Sequence, residues 1–530
     1  MYLHISNLAL GAEGADLAAA VRERIGIEAL AVTLVKKSLD ARARPPLWRA
    51  TVRAQIAGER VPAAPGVRAW TERDEQRRSG VAPAPKQSWK NRPIIVGAGP
   101  AGLFCALRLA EAGAPAILIE RGGPVEHRIP VVNAYWRGQP LDPESNIVFG
   151  EGGAGTFSDG KIYTRRRDGE LGWVFARLVD AGADPGILQE SWAHLGTDKV
   201  RAILPAIRAT LQAAGVEIRF HTRVARFLVE DGACVGVEVH GPAGDEVIGG
   251  GPVVVATGHS ARDTMAALLE AGAVAEQRPI AIGARIEHPQ AIIDAARYPT
   301  GRGELPAASY RLAWTPPGAA ESAAYTFCMC PGGLVVPAEE SDGLVVVNGM
   351  SFSTRMARWA NSALIVQVPI EAYAPHTRWP GDPLAGVAFQ RSIEQAAHAV
   401  AGTGSAPAQR VTDFLAGRAS VDLPRVSYPK GVVATDLARV LPAAVVHGMR
   451  EAIRRFDAEI PGFAGEAGVL IAPETRTTAP LRFLRGENLQ STSLPGLYPC
   501  GEGAGYAGGI ISAALDGFRV AEALCAAHVG

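Results

Sequence analysis

The chemistry-bearing residues gather first in Pro93–Glu120, PIIVGAGPAGLFCALRLAEAGAPAILIE. An apolar run enters Gly97, Gly99 and Gly102, a run rich in Ala and Leu follows, and a second apolar run ends at Glu120 and Arg121. Each glycine has a separate job: Gly97 allows the tight turn, Gly99 lets a pyrophosphate approach the backbone, and Gly102 permits close packing of helix on strand. Pro100 and Ala101 open the helix, whose N-terminus favours phosphate charge. Glu120, ending the second strand, is placed to accept from ribose hydroxyls, which favours an unphosphorylated adenosine ribose. With strand, helix and terminal acid in register, the segment predicts dinucleotide binding.

That motif alone does not separate NAD from FAD, and three further segments bear on the choice. The β-rich runs from 216, which include Val224, return to a buried strand, PVVVATG, whose Thr257 and Gly258 come back beside the nucleotide. Leu497–Gly517, LYPCGEGAGYAGGIISAALDG, sets a strand, a turn carrying Gly501 and Glu502, and a helix beginning near Gly509 and Ile510 in series. This arrangement resembles the flavin-side motif of glutathione-reductase-type flavoproteins. There, Glu502 would hydrogen-bond the ribityl chain, and the helix N-terminus would stabilise negative charge on reduced flavin. The third segment, FGEGGAGTFSDGK (Phe149–Lys161), packs Gly152, Gly153, Ala154 and Gly155 into a loop that admits close approach of a ligand. Ser158 and Lys161 lie within reach of flavin or substrate in this reading.

Together with KKSLDAR (36–42), AHLGTDK (193–199), ATGHSARDT (256–264), AIGARIEHPQ (281–290), YTFCMCPGG (325–333), NGMSFSTR (348–355), WANSALIV (359–366) and ETRTTAP (474–480), these segments resemble the family of uncharacterised bacterial FAD-dependent dehydrogenases. The resemblance covers essentially the whole chain. It implies noncovalent FAD, a glutathione-reductase-like FAD domain and an inserted substrate domain, and it leaves the substrate open.

The reaction must be argued from other residues. No second GxGxxG domain of the kind that holds NAD(P)H in disulfide reductases is found in 121–530, so NAD(P)H, if used, binds transiently in the substrate cleft. Cys328 and Cys330 flank Met329 in an apolar run read as a strand end, where they share a face. Burial as small packing residues and a redox or covalent role both remain open for them, and a metal site lacks two further ligands. His194, His259, His288, Glu474 and Lys161 are acid/base candidates, His259 being nearest the cofactor because it follows the ATG turn. Structural pairing is the first expectation for His288. Arg476, with Arg355 and Arg358 as alternatives, has the planar fork that clamps carboxylate or phosphate, which favours an anionic small-molecule substrate.

These residues need a large scaffold, and 530 residues with 48% apolar composition supply one. The pattern reads as an α/β protein in four stretches. Residues 1–90 form a small N-terminal α+β unit (β-α-β-β) and basic linker; 91–274 the first part of a Rossmann-type FAD domain with a β-meander; 275–485 a mixed α/β substrate domain; 486–530 the C-terminal part of the FAD domain. Fifty-three basic residues balance 53 acidic ones, so no global field draws the chain to nucleic acid or membrane. The stretch 36–92 is nevertheless basic, and it reads first as a solvated hairpin and linker. Scattered cysteines, no leader-like start and no long apolar run point to a soluble cytoplasmic protein. Two other readings compete with a dehydrogenase or reductase: a flavin monooxygenase, whose usual Gly-Asp C-terminal pattern is not met, and a flavoprotein acting on a nucleic acid or protein through its basic N-terminal unit. Nothing in the sequence fixes an oligomeric state.

Overall fold

A computed structural model of the chain describes residues 1–10, 16–40, 43, 46–79, 81, 84, 86–162, 169–318 and 323–529. Ala15, Ala41, Arg42, Arg44, Ala82, Pro83 and Pro85, which fall in segments read above, lie outside them.

Alternation of apolar and polar residues builds the N-terminal unit. Leu3, Ile5 and Leu8 on strand Tyr2–Leu10 and Ala50, Val52, Ala54 and Ile56 on strand Leu47–Ile56 turn inward together. Helix Leu17–Ile25 covers them, started by Asp16, whose carboxylate accepts from the Ala18 and Ala19 amides, and ended by Gly26 at φ +69°. The antiparallel sheet runs in the order Ala29–Asp40, Leu47–Ile56, Tyr2–Leu10, Val67–Ala69. The last strand and helix Glu72–Ser79 occupy what the sequence reads as linker. A three-residue strand and a helix without an apolar stripe leave no periodicity to detect.

The nucleotide unit is a five-stranded parallel sheet in the order Leu497–Pro499, Val253–Val255, Ile94–Val96, Ile117–Ile119, Glu217–Arg219. Its central strands are apolar throughout because both faces are covered. From Ile94–Val96 the chain first builds outward through Ile117–Ile119, then returns to the other side at Val253–Val255 after an antiparallel meander, 223–249. The crevice beyond the carboxyl ends at that reversal is where open α/β sheets bind ligands. Helices Pro100–Glu111 and Ile510–Val529 pack side by side on one face.

The third unit is an eight-stranded mixed sheet. Strand Ile280–Pro289 pairs with Trp359–Val368 on one side and Val469–Glu474 on the other, and strand Ala324–Pro337 extends the sheet beyond Trp359–Val368. Helices Ala385–Ala401 and Ala443–Glu459 bury their apolar stripes in its large core. The chain crosses between the second and third units at Ala275–Gln277 and Leu481–Phe483, which pair with each other.

Candidate functional site

A cavity of about 1320 Å³ begins at the crevice of the parallel sheet and runs out between the third unit and the N-terminal sheet. Its inner end is made of the glycine loops. Gly97 stands at φ +104°, and a Cβ there would meet the Ala256 carbonyl oxygen at 2.5 Å, so the turn requires glycine. A Cβ on Gly102 would lie 1.9 Å from the Gly97 carbonyl oxygen, which is the close helix–strand approach its position implies.

Gly99 is different. A Cβ there would meet only the Gly153 Cα, at 3.8 Å, in ordinary contact, and it would project into the cavity. No protein neighbour demands glycine at 99, and the space above its backbone is open to a ligand. Gly99 also caps helix Pro100–Glu111 with no side chain on its amides. An open cradle at a helix N-terminus, in a cavity larger than a typical small-molecule site, fits a pyrophosphate-bearing dinucleotide.

Of the residues chosen from sequence, Gly97, Gly99, Pro100, Ala101, Glu120, Arg121, Gly153, Ala154, Gly155, Ser158, Lys161, Val224, Thr257, Gly258, His259, Cys328, Arg476, Glu502, Gly509 and Ile510 line this cavity. Glu120 holds more than the sequence implies. Its carboxylate accepts from the amides of Ala98 at 2.8 Å and of Gly122 and Gly150, each at 2.9 Å. It thus ties two glycine loops to one strand end, with acceptor capacity left for one further donor. Arg121 stacks over Phe149 and pairs with Glu144 and Asp263. Ser158 closes its own loop, donating to the Gly155 carbonyl and accepting from the Gly160 amide.

Five choices need correction. Gly102 and Gly501 sit behind the wall as packing contacts, Gly501 facing Ala101 and donating its amide to Asp516 at 2.7 Å. Gly152 also faces away, against Thr156 and Leu204, while its amide donates to the Ala98 carbonyl. Cys330 is fully buried beneath the cavity wall. Arg476 reaches the wall, but its fork is already filled: Nε and Nη2 donate to Glu394 at 3.0 and 2.8 Å, and Nη1 pairs with Glu340. Glu394 is shared with Arg262 in the same way, at 2.9 Å to each oxygen. Arg476 therefore belongs to a buried ion cluster rather than to a substrate clamp. His288, expected in an ion pair, is buried and donates from Nε2 to the Phe463 carbonyl at 2.9 Å.

The remaining wall carries two titratable groups from the C-terminal motif and the ATG turn. Burial, and next the charge of Cys328, pushes the Glu502 carboxyl up to about 8. His259 Nε2 lies 3.9 Å from Glu502 Oε1, and burial with the charges of Arg476 and Arg262 pulls its imidazole down to about 4. At neutral pH the pair is a protonated carboxyl beside a neutral imidazole.

Opposite stands an arrangement that sequence reading saw only in pieces. Asp159 is fully buried, 3.1 Å from Lys161 Nζ and 3.5 Å from both His194 Nε2 and Arg355 Nη2, and it accepts from the Ser351 hydroxyl. Lys161 also donates to the Met329 carbonyl, so it grips the turn between the two cysteines. Arg285, wholly buried, pairs with Glu474 at 3.2 Å and donates to Asn361, to the Cys328 carbonyl at 3.0 Å and to Cys330 Sγ at 3.5 Å. His194, Lys161 and Glu474 were singled out by type; Asp159, Arg285 and Asn361, which organise them, were not.

Comparison with known proteins identifies relatives of the chain. Residues 92–129 match the FAD binding domain family, and residues 279–477 match the family described as FAD-dependent protein, C-terminal domain-like. An uncharacterized protein of Clostridium beijerinckii is 42% identical over 438 residues, covering 82% of this chain and 80% of its own length. Among solved structures, E. coli quinol fumarate reductase FrdA shares 13% identity over 84% of this chain and 71% of its own, with a TM-score of 0.38. The 3-ketosteroid-Δ4-(5α)-dehydrogenase of Rhodococcus jostii shares 13% over 82% and 96%, with a TM-score of 0.35. Given the two family matches and the extent of the Clostridium relationship, the chain belongs to this uncharacterised family of FAD-dependent proteins.

Proposed function

We propose that this FAD-dependent oxidoreductase exchanges a hydride between noncovalently held flavin and a small anionic organic molecule or transiently bound NAD(P)H. In this reading 91–274 and 486–530 form a glutathione-reductase-like cofactor unit, 275–485 is the substrate unit inserted into it, and 1–90 completes the cavity mouth. The observation that carries the proposal is the single continuous cavity. It has a dinucleotide cradle at one end and a second lining, drawn from the other two units, at the other.

Bound flavin would supply a two-electron acceptor and donor. The chain's own residues supply the rest. Arg297 and Arg311, with Lys37 paired to Glu190 and Arg302 paired to Asp294, line the outer end and leave it an excess of positive charge that favours an anion, with Trp48 and Trp192 giving it flat apolar surface. Glu502, pushed up to about 8, holds a proton at the inner wall that it can give up near neutral pH, and His259 beside it, pulled down to about 4, stays neutral there. Six free cysteines fit a reducing compartment, and among the described residues no helix is long and apolar enough to cross a membrane.

The nucleic-acid reading of the basic stretch loses support. Arg49 pairs with Asp40, Arg53 with Glu75, Arg68 with Asp74 and Arg92 with Glu217. Trp48 faces the cavity, and Trp70 and Trp89 donate to Glu75 and the Ala112 carbonyl, so these three rings do not form a stacking platform for bases.

The test is anaerobic titration of the purified protein with NADPH and NADH while following the visible flavin band. Rapid bleaching establishes nicotinamide as donor and leaves the anionic molecule as acceptor. Bleaching by no nicotinamide and by no small anionic hydride donor would overturn the proposal.

A further inference from the structure

Strand Ala324–Pro337 does not run smoothly through its cysteines. Its register against Trp359–Val368 slips between Phe327 and Cys330, so three steps on one strand face two on the other. Cys328, at this bulge, has φ +46°, a left-handed conformation costly for a residue with a side chain, and such strain is characteristic of functional positions. The bulge separates the two thiols by exposure. Cys328 is half-buried and lines the cavity, whereas Cys330 is sealed beneath it.

They remain partners. The Cys330 thiol donates to the Cys328 carbonyl oxygen at 3.2 Å. Two cations flank them, Arg285 on Cys330 Sγ and Lys161 on the Met329 carbonyl. The next residues keep the turn tight: a Cβ on Gly332 would meet the Arg355 carbonyl oxygen at 1.9 Å, and one on Gly333 would meet Cys330 Cβ at 2.8 Å. Cys330 beside it, aided by the positive charges of Lys161 and Arg285, holds the Cys328 thiol well below its ordinary value, while burial drives Cys330 well up. An accessible thiolate beside a buried, protonated thiol is the division of labour of a dithiol that performs disulfide exchange.

The geometry points to Cys328 and Cys330 as a redox-active pair, Cys328 attacking and Cys330 resolving, that reduces a small anionic disulfide in the outer half of the cavity. The inference rests on the oxidoreductase reading and names its substrate class. The Cys328 thiolate bonds to one sulfur of the substrate; the substrate S–S bond breaks, and one thiolate leaves. Cys330 then bonds to Cys328 sulfur, its proton passing to the second departing thiolate. One external disulfide becomes two thiols, and two protein thiols become one disulfide. Two electrons from a hydride donor, nicotinamide or organic, delivered through the cofactor end, restore the pair. The basic mouth selects the anion.

The test uses the full-length holoprotein, reduced with dithiothreitol, desalted without oxygen and treated with the anionic aromatic disulfide DTNB. Wild type should release two equivalents of thionitrobenzoate in one fast phase and lose two hydrogens in intact mass, with no adduct retained. Cys330→Ser should release one equivalent and keep one adduct; Cys328→Ser should lose the fast phase. Between pH 6 and 8 the wild-type rate should stay nearly flat, whereas an unperturbed thiol gains about tenfold per unit below its pKa. The groups facing Cys328 through this range are Cys330, Lys161, Arg285, Asp159, Glu474 and Glu502. A stable adduct on wild type, or fast labelling that survives Cys328→Ser, overturns the inference. The wild-type mass answers even if a variant misfolds. Thiol chemistry is read independently of flavin bleaching, so failure of this pair and failure of the hydride-transfer reading are separate results.

Discussion

A Cβ added at Gly517 would lie 2.0 Å from the carbonyl oxygen of Ala101, so the two helices that start at the cavity touch backbone to backbone. Ala101 stands in the first turn of one helix and Gly517 in the third turn of the other. This contact fixes how both N-termini are aimed at the cavity. Gly517→Ala should therefore separate them, costing about 3 kcal/mol of stability by overpacking and most of the bound flavin. Thermal melts and the ratio of visible to ultraviolet absorbance of the purified variant measure the two effects; an unchanged melt with full flavin would contradict the packing argument.

Gly99 predicts the opposite combination. Since a side chain there meets ordinary van der Waals distance from protein, Gly99→Val should leave the flavin-free protein folded and about as stable as the flavin-free wild type. It should nonetheless be purified colourless and fail to recover FAD on dialysis. Retention of normal FAD would show that the cradle lies elsewhere.

Arg476 and Glu394 supply a test of structure against substrate binding. Glu394→Gln would leave Arg262 and Arg476 buried around a neutral amide, for an expected loss of about 3 to 5 kcal/mol. Chemical denaturation checks it. A variant that keeps wild-type stability but loses affinity for anions would restore Arg476 as a clamp.

His288 sets part of the acid limit. Burial holds its imidazole down to about 4, below the ordinary value near 6.5, so between these pH values the unfolded chain binds the extra proton and the folded one does not. Its contribution is intact above about pH 6.5 and is lost as pH falls toward 4, approaching about 3 kcal/mol at roughly 1.4 kcal/mol per unit. His288→Gln, which still donates to the Phe463 carbonyl, should melt with a shallower decline from pH 7 to 5 than wild type.

The cofactor end was legible because its constraints are local. A left-handed turn at Gly97 and a backbone contact at Gly102 each demand glycine from a short stretch of chain, and Glu120 ends the strand that follows. The thiol end was not legible in the same way. Arg285 reaches Glu474 across 189 residues only because Ile280–Pro289 and Val469–Glu474 are neighbours in one sheet, a pairing no spacing reveals. Arg476 was misjudged for the same reason: its partners, Glu340 and Glu394, are remote in sequence. Residue type nominated Cys328, but the bulge that separates it from Cys330 required the register of two strands.

The edge strand Ala29–Asp40 of the N-terminal sheet is joined to the nucleotide unit by two main-chain bonds, Lys37 amide to Gln189 carbonyl at 2.7 Å and Ser191 amide to Lys37 carbonyl at 3.0 Å. Lys37, Ser38, Leu39 and Trp48 thereby become part of the cavity rim. Main-chain bonds of this kind are indifferent to side-chain identity. The rim is thus an interchangeable collar, whose side chains can be rewritten to admit different guests while the seam beneath it and the reacting groups behind it stay as they are.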